Sequence, residues 1–157
     1  RKFALWEEAT RAPLFFVAPD VTKPNGVSPR TVDFMAIYPT LCDLAGLPRP
    51  KHLQGRSLKP MLDDPEAQGR QFAVSTMVAP HTRLIGHSIR TDAFRYISWD
   101  EGRGGELLYD LRTDSEELHN LADQPAHGDR MMRMRRRLAE HLKEVSAPES
   151  DQSASQR

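Results

Sequence analysis

Between Gly86 and Leu111 three strand-like segments follow one another with short loops between them, and no other feature narrows the fold so far. Gly86–Arg90 is the first. Phe94–Trp99 is the second, with Phe94, Tyr96 and Ser98 on one face and Ile97 and Trp99 on the other. Glu106–Leu111 is the third. Thr91-Asp92-Ala93 makes the first turn and Asp100–Gly105 the hairpin loop after it. Consecutive segments so closely linked pair as antiparallel neighbours. A weaker alternation over Gln71–Met77 adds a further strand. Downstream, Met131, Met134, Leu138, Leu142 and Val145 recur at helical spacing. That stripe predicts a helix from Asp129 to Val145 whose opposite face carries Arg133, Arg136, Arg137, Glu140 and Lys143. Ala147-Pro148 stops it, and the polar stretch to Arg157 has no apolar anchor, which predicts a disordered tail over 147–157.

The amino-terminal half reads differently. Phe3, Trp6, Ala9 and Thr10 predict a short helical turn within residues 2–11. Leu14-Phe15-Phe16-Val17 is a continuous apolar run, the pattern of a strand covered on both faces, as in a large α/β sheet. A lone strand of that kind cannot bury itself, and the chain begins with Arg1 rather than Met, so the expectation is the interior of a longer protein. Pro19, Pro24, Gly26 and Pro29 mark a loop. Met35, Tyr38, Leu41, Leu44 and Ala45 share one face of a helix that starts near Met35, with Asp33 before it as a cap or loop residue and Gly46 and Pro48 as its stop. Leu58–Leu62 is a short helix. Asp114–Glu117 is an acidic turn that would cap another through Leu121.

Composition excludes several functions. Twenty-two Lys and Arg balance 22 Asp and Glu in 157 residues, so no global field exists to hold a polyanion, and no nucleic-acid partner is expected. No apolar run reaches membrane-spanning length, so no membrane partner is expected either. The arginines at 130, 133, 135, 136 and 137 read as the solvated face of a docked helix. Cys42, the one cysteine, reads as a small buried hydrophobe. The six histidines show no ligand spacing, so no metal site is expected within the chain. No G-x-S-x-G, Walker loop or G-x-G-x-x-G is present, and nothing supplies a self-contained nucleophile, base and oxyanion hole. Lys2 is different in kind. It precedes an aromatic turn that runs into a buried apolar run, which would hold its ammonium at the mouth of an α/β sheet, where anions bind. There it would neutralise a sulfate or phosphate ester oxygen as charge builds; the bland alternative is a surface lysine.

Several segments, taken in order, carry a resemblance. Lys2-Phe3-Ala4-Leu5-Trp6-Glu7-Glu8-Ala9-Thr10-Arg11-Ala12-Pro13-Leu14 resembles the K-x-x-x-[WF/Y]-E-x-x-x-R-V-P-L signature of sulfatases of the alkaline-phosphatase superfamily, with Ala12 where valine is usual. Tyr38-Pro39-Thr40-Leu41-Cys42-Asp43-Leu44-Ala45-Gly46 is similar to their Y-P-T-L-x-D-L-A-G helix, and Leu53-Gln54-Gly55-Arg56-Ser57-Leu58 to their L-x-G-x-S-L turn. His87–Thr91, Arg95-Tyr96, Glu106–Leu111 and Asp114…Glu117…Asn120-Leu121 resemble their closing sheet and acidic turn, in an iduronate-2-sulfatase-like or arylsulfatase-like flavour.

The resemblance implies an α/β, alkaline-phosphatase-like fold, of which this is the carboxy-terminal part. Residues 1–70 would end the large sheet domain, with its last strand and helix, and 71–146 would form a small antiparallel sheet with a carboxy-terminal helix. It implies a sulfuric-ester hydrolase acting on an organic sulfate, a small molecule or a sulfated sugar, in an exported, periplasmic or lysosomal compartment. The family uses a formylglycine, made in a C/S-x-P-x-R motif, and Ca²⁺. Neither the motif nor a calcium motif occurs here, so both are expected upstream and the chain alone is expected to be inactive. Lys2 maps onto the family's sulfate-binding lysine. His87 and Arg90 are candidate substrate-binding residues. Arg90 either meets a substrate carboxylate bidentately or is a buried structural arginine. Glu7 and Arg11, at i and i+4, would pair and orient the Lys2 segment. Two alternatives stand beside this reading: a phosphodiesterase or phosphonate monoester hydrolase of the same superfamily, and a non-catalytic α+β interaction module.

Overall fold

Four strands pair in chain order into one antiparallel sheet: β1 (Ala73–Val78), β2 (Ile85–Arg90), β3 (Phe94–Trp99) and β4 (Glu106–Asp110). They belong to a computed structural model that describes residues 4–146. Register decides the two faces. Ile89 lies opposite Tyr96 and Tyr96 opposite Leu108, so these three share a face. Ser88 lies opposite Ile97, Ile97 opposite Leu107 and Arg95 opposite Tyr109, so these line the other. The alternation expected for Phe94–Trp99 is therefore the one observed.

The first face takes α4 (Gly128–Ser146), whose Met131, Met134 and Leu138 pack on Ile89, Phe94, Tyr96 and Leu108. Each such buried side chain stabilises by roughly 1.5–3 kcal/mol. Polar contacts set the helix's position along the sheet. The Glu106 carboxylate accepts from Arg135 Nε at 2.6 Å and from the Tyr96 hydroxyl. Burial and that hydrogen bond push the Tyr96 hydroxyl up to about 12. The second face is covered by the amino-terminal segment. Leu5 packs on Ile97 and Tyr109, and the Trp6 indole donates to the Tyr109 hydroxyl at 3.1 Å. Gly86 makes the room: a Cβ there would lie 2.5 Å from the Trp99 ring and 2.8 Å from Leu5.

Four expectations are corrected. Leu14–Val17 carries no strand pairing; Leu14 and Phe16 tuck against Ala36, Leu58 and Met61, while Phe15 and Val17 are 82% and 86% exposed. No strand runs beside it among the described residues, and an extended segment touched on one side buries alternate residues only. The second correction concerns α2 (Ile37–Leu44), which follows a 3₁₀ turn at Phe34–Ala36. The helix lies where the pattern placed it and ends at Gly46 (φ 65°), with Leu47 N donating to Cys42 O at 2.9 Å. Its rotation differs: Met35, Tyr38 and Leu41 face outward, while Ala36, Pro39, Thr40 and Cys42 are buried. Thr40 sets that rotation. Its hydroxyl donates to Ala36 O at 2.6 Å and accepts from Leu58 N at 2.8 Å, holding α2 to the start of α3 (Lys59–Asp63).

Third, the acidic turn opens no helix. Asp114 accepts from Leu118 N and His119 N, and Glu117 sits at φ 57°, which ends helical continuation. The chain then runs beside β4: Leu121 N donates to Leu108 O at 2.8 Å, and Asn120 Oδ1 accepts from Leu108 N at 2.9 Å. That contact covers the edge of β4. Fourth, Glu7, on the single turn α1 (Glu7–Thr10), forms no ion pair with Arg11; its carboxylate turns to the sheet. Lys2 and the tail expected over 147–157 lie outside the described residues.

Candidate functional site

Alternation along β3 puts Arg95 on the face that also carries Ile97, and its side chain is 2% exposed. A guanidinium so placed is tolerated only if its donors are met and its charge is balanced. Arg95 Nε donates to Glu117 Oε1 at 2.5 Å, and Nη2 to Glu7 Oε2. Nη1 donates to Leu5 O at 3.0 Å and to Ser88 Oγ at 2.9 Å. The second Glu117 oxygen accepts from the Glu7 backbone N at 2.6 Å. Arg90, at the end of β2, donates from Nη2 and Nε to the Glu7 carboxylate at 3.3 and 3.4 Å. Its Nη1 donates to Thr31 Oγ1 at 2.6 Å and to Thr91 O at 2.9 Å. The two arginines and two glutamates balance in charge.

The cluster ties three distant parts of the chain together. It holds Leu5–Glu7 on the sheet, the acidic turn through Glu117, and the loop at Thr31, whose backbone N and hydroxyl both donate to Asp92 Oδ1. Burial alone would push the Glu7 carboxyl up. Hydrogen bonds and charge from Arg90 and Arg95 outweigh it and hold the carboxyl below its ordinary range. The positive φ of Glu117 is local strain kept by the contacts its carboxylate makes.

The sequence candidates fall in different places. Lys2, outside the described residues, precedes the anchored Leu5 by three positions in the sequence. Arg90 faces that segment, but three of its nitrogens already donate within the protein, so a substrate carboxylate would have to displace Glu7. His87 points to the opposite face of β2 from Arg90, with Nδ1 2.9 Å from Thr76 Oγ1. Burial holds its ring below the ordinary histidine range, hence neutral near pH 7. His87 and Arg90 are not brought together. Among the described residues no three His, Cys, Asp or Glu side chains converge to hold a metal ion. The described residues therefore do not fit the calcium that the resemblance implies.

Sequence reasoning missed the buried roles of Arg95 and Glu117. The signal was present: an arginine on a strand face shared with Ile97 and Trp99 needs a buried counter-charge, and the acidic turn supplies one.

Comparison with known proteins adds a second kind of observation. Residues 1–144 match the family described as N-sulphoglucosamine sulphohydrolase, C-terminal. The chain is 34% identical over 122 residues to a sulfatase from Formosa agariphila, covering 78% of this chain and 22% of that protein. It is 30% identical to arylsulfatase K from Rattus norvegicus (77% and 23%) and 27% identical to a Δ4,5-hexuronate-2-O-sulfatase from Bacteroides thetaiotaomicron (90% and 30%). Among solved structures, a 2-O GAG sulfatase superposes with a TM-score of 0.61 at 30% identity, covering 76% of this chain and 25% of that one. A protein in complex with its substrate D-glucosamine-2-N,6-O-disulfate does so at 0.60 and 26% identity (72% and 24%). A phosphonate monoester hydrolase from Agrobacterium radiobacter does so at 0.57 and 28% identity (70% and 24%). The chain spans about a quarter of the length of the first two curated relatives.

Proposed function

The chain belongs to the N-sulphoglucosamine sulphohydrolase C-terminal family of sulfatases, and from that premise we propose that it is the carboxy-terminal portion of a sulfuric-ester hydrolase that cleaves a sulfate ester from a sulfated sugar. The observation that carries the reading is the pinned segment Leu5–Glu7. Arg95, Glu117 and Tyr109 fasten to the sheet a stretch that begins three positions after Lys2 in the sequence. In this reading the anchored Leu5–Glu7 segment limits how far Lys2 can range, which lowers the entropy lost when its ammonium meets an anion. Sugar sulfates are supported by relatives: one is named for a 2-O-sulfated hexuronate, and one solved structure holds a glucosamine disulfate.

In this reading Lys2 places its ammonium against the sulfate and neutralises the charge that grows on the ester oxygens. Glu7, Arg95 and Glu117 are positioning residues. Arg90 holds the same segment through the Glu7 carboxylate, on the sheet face opposite the one that carries His87. Formylglycine and calcium, which the family resemblance implies, would be supplied by residues other than the described ones. The 157-residue chain alone then hydrolyses no sulfate ester. No helix among the described residues is long and apolar enough to cross a membrane; by the resemblance, the compartment is exported or lysosomal.

The test is to express the protein encoded by the complete reading frame and to assay 4-nitrocatechol sulfate and sulfated saccharides. Lys2→Ala should lower kcat/KM by about 10²-fold or more, the scale of a lost transition-state donor. An unchanged kcat/KM removes the role given to Lys2. The likeness to the phosphonate monoester hydrolase supports a second reading. Turnover of a phosphonate monoester with sulfate esters untouched would favour it.

A further inference from the structure

A cavity of about 750 Å³ lies between α4 and the loops at 68–71 and 91–93, lined by seven arginines against two acids, Asp92 and Glu140. Four of the arginines have carboxylate partners. Arg130, Arg133 and Arg137 have none among the described residues. They recur along one face of α4, where like charges repel, so the arrangement costs helix stability rather than adding to it.

Two of these guanidiniums are held in place. Arg130 lies 4.1 Å from the Phe94 ring centroid, with Arg112 at 4.9 Å from the same ring. Arg137 lies 5.5 Å from the Phe72 ring, with Arg70 at 4.8 Å. Stacking on a ring uses the face of a guanidinium and leaves its N–H edge free. Beside them Arg30 Nε is buried with no hydrogen-bond partner. The wall is thus rigid, rich in donors and short of acceptors, the complement of a ligand made of oxyanions.

We propose that this groove is a second, non-catalytic binding site for a sulfated, uronate-bearing oligosaccharide. The choice of saccharide rests on the sulfatase reading above; the anion chemistry rests on the groove. Guanidinium forks match sulfate and carboxylate oxygens alike. The volume suits a few sugar units rather than a long duplex, and the chain's zero net charge supplies no wider field to hold nucleic acid. The rim at Thr91 and Asp92 also walls the Arg90–Thr31 contacts, so the groove joins the cluster that holds the Leu5–Glu7 segment.

The test is fluorescence anisotropy of a labelled heparin octasaccharide titrated with the 157-residue chain at several salt concentrations. The triple substitution Arg130→Gln, Arg133→Gln, Arg137→Gln should weaken binding at least about tenfold and flatten the salt dependence by about two to three released counterions. Arg103→Gln, on the exposed hairpin loop, should bind like the parent. Should the triple variant lose its fold by circular dichroism, Arg133→Gln alone, which touches no ring, should weaken binding about threefold. A folded groove variant that binds as tightly as the parent overturns the site. So does duplex DNA of matched charge binding as tightly as the octasaccharide. Should the groove variants lose binding while the complete protein cleaves no sulfated saccharide, the groove is supported and the sulfatase reading fails.

Discussion

Two guanidiniums converge on the Glu7 carboxylate, and that convergence gives the residue a pH signature. Its folded-state carboxyl titrates below the ordinary value of about 4.3. The folded state therefore favours the ionised form. The contribution is complete above the unfolded value and is lost as pH falls through the folded one. Glu7→Gln should cost about 1–3 kcal/mol at neutral pH. The gap between the parent's and the variant's thermal transitions should stay constant at neutral pH and close below about pH 4. A gap that persists unchanged into strong acid would show that the carboxylate's charge adds nothing. His87 and His141, held low by burial and in His141 also by Arg70, act with the same sign in both proteins and cancel from the comparison. Glu7 stands in a legible motif, but its partners were not legible. The i,i+4 spacing pointed to Arg11, and an exposed pair of that kind is worth only ~0.3–0.5 kcal/mol. Arg95, buried in β3, leaves a far larger penalty if unpaired, so it decides where Glu7 goes.

The sheet and α4 are the elements on which the site depends, and Gly86 is where the sheet meets the amino-terminal segment. Gly86→Ala would place a methyl 2.5 Å from the Trp99 ring and 2.8 Å from Leu5, so one of them must move. The expected loss is about 1–3 kcal/mol, with a change in tryptophan fluorescence because Trp6 and Trp99 pack in the same cluster. A melting curve and emission spectrum equal to the parent's would show that Leu5 is not wedged against β2. The three strands of the meander and the long helix were readable because alternation and a Met/Leu stripe both report burial by the chain's own core. The outward rotation of α2 was not. Its apolar residues are real, but Thr40 holds the small residues inward, against α3.

At the scale of the whole molecule, Phe15, Val17, Met35, Tyr38 and Leu41 leave apolar surface uncovered on the 157-residue chain. Surface of that kind promotes association. The chain should bind an apolar fluorophore and self-associate with rising concentration. Phe15→Ser with Leu41→Ser should reduce both while shifting stability by no more than about 0.5 kcal/mol, since both side chains are exposed. Sedimentation of parent and variant as identical monomers would show that this surface does not associate. A sharp reversible transition of a monomeric parent would favour a self-sufficient module. The arginine groove belongs to this scale too. Composition reported only a neutral chain, and the helix pattern only a charged face; Phe72 and Phe94 stack the arginines against one wall, and that took the tertiary structure.

Residue order alone determined the antiparallel meander, the docked carboxy-terminal helix and the likeness to sulfatases, because these rest on local periodicity and on short motifs, which survive without knowledge of neighbours. Only the tertiary structure decided that Arg95 and Glu117 clamp the Leu5–Glu7 segment, that His87 and Arg90 lie on opposite faces, and that α4 and its neighbouring loops enclose a basic groove. Buried charges choose partners by proximity in space, and residues ninety positions apart in sequence, such as Leu5 and Arg95, meet only once the sheet has formed.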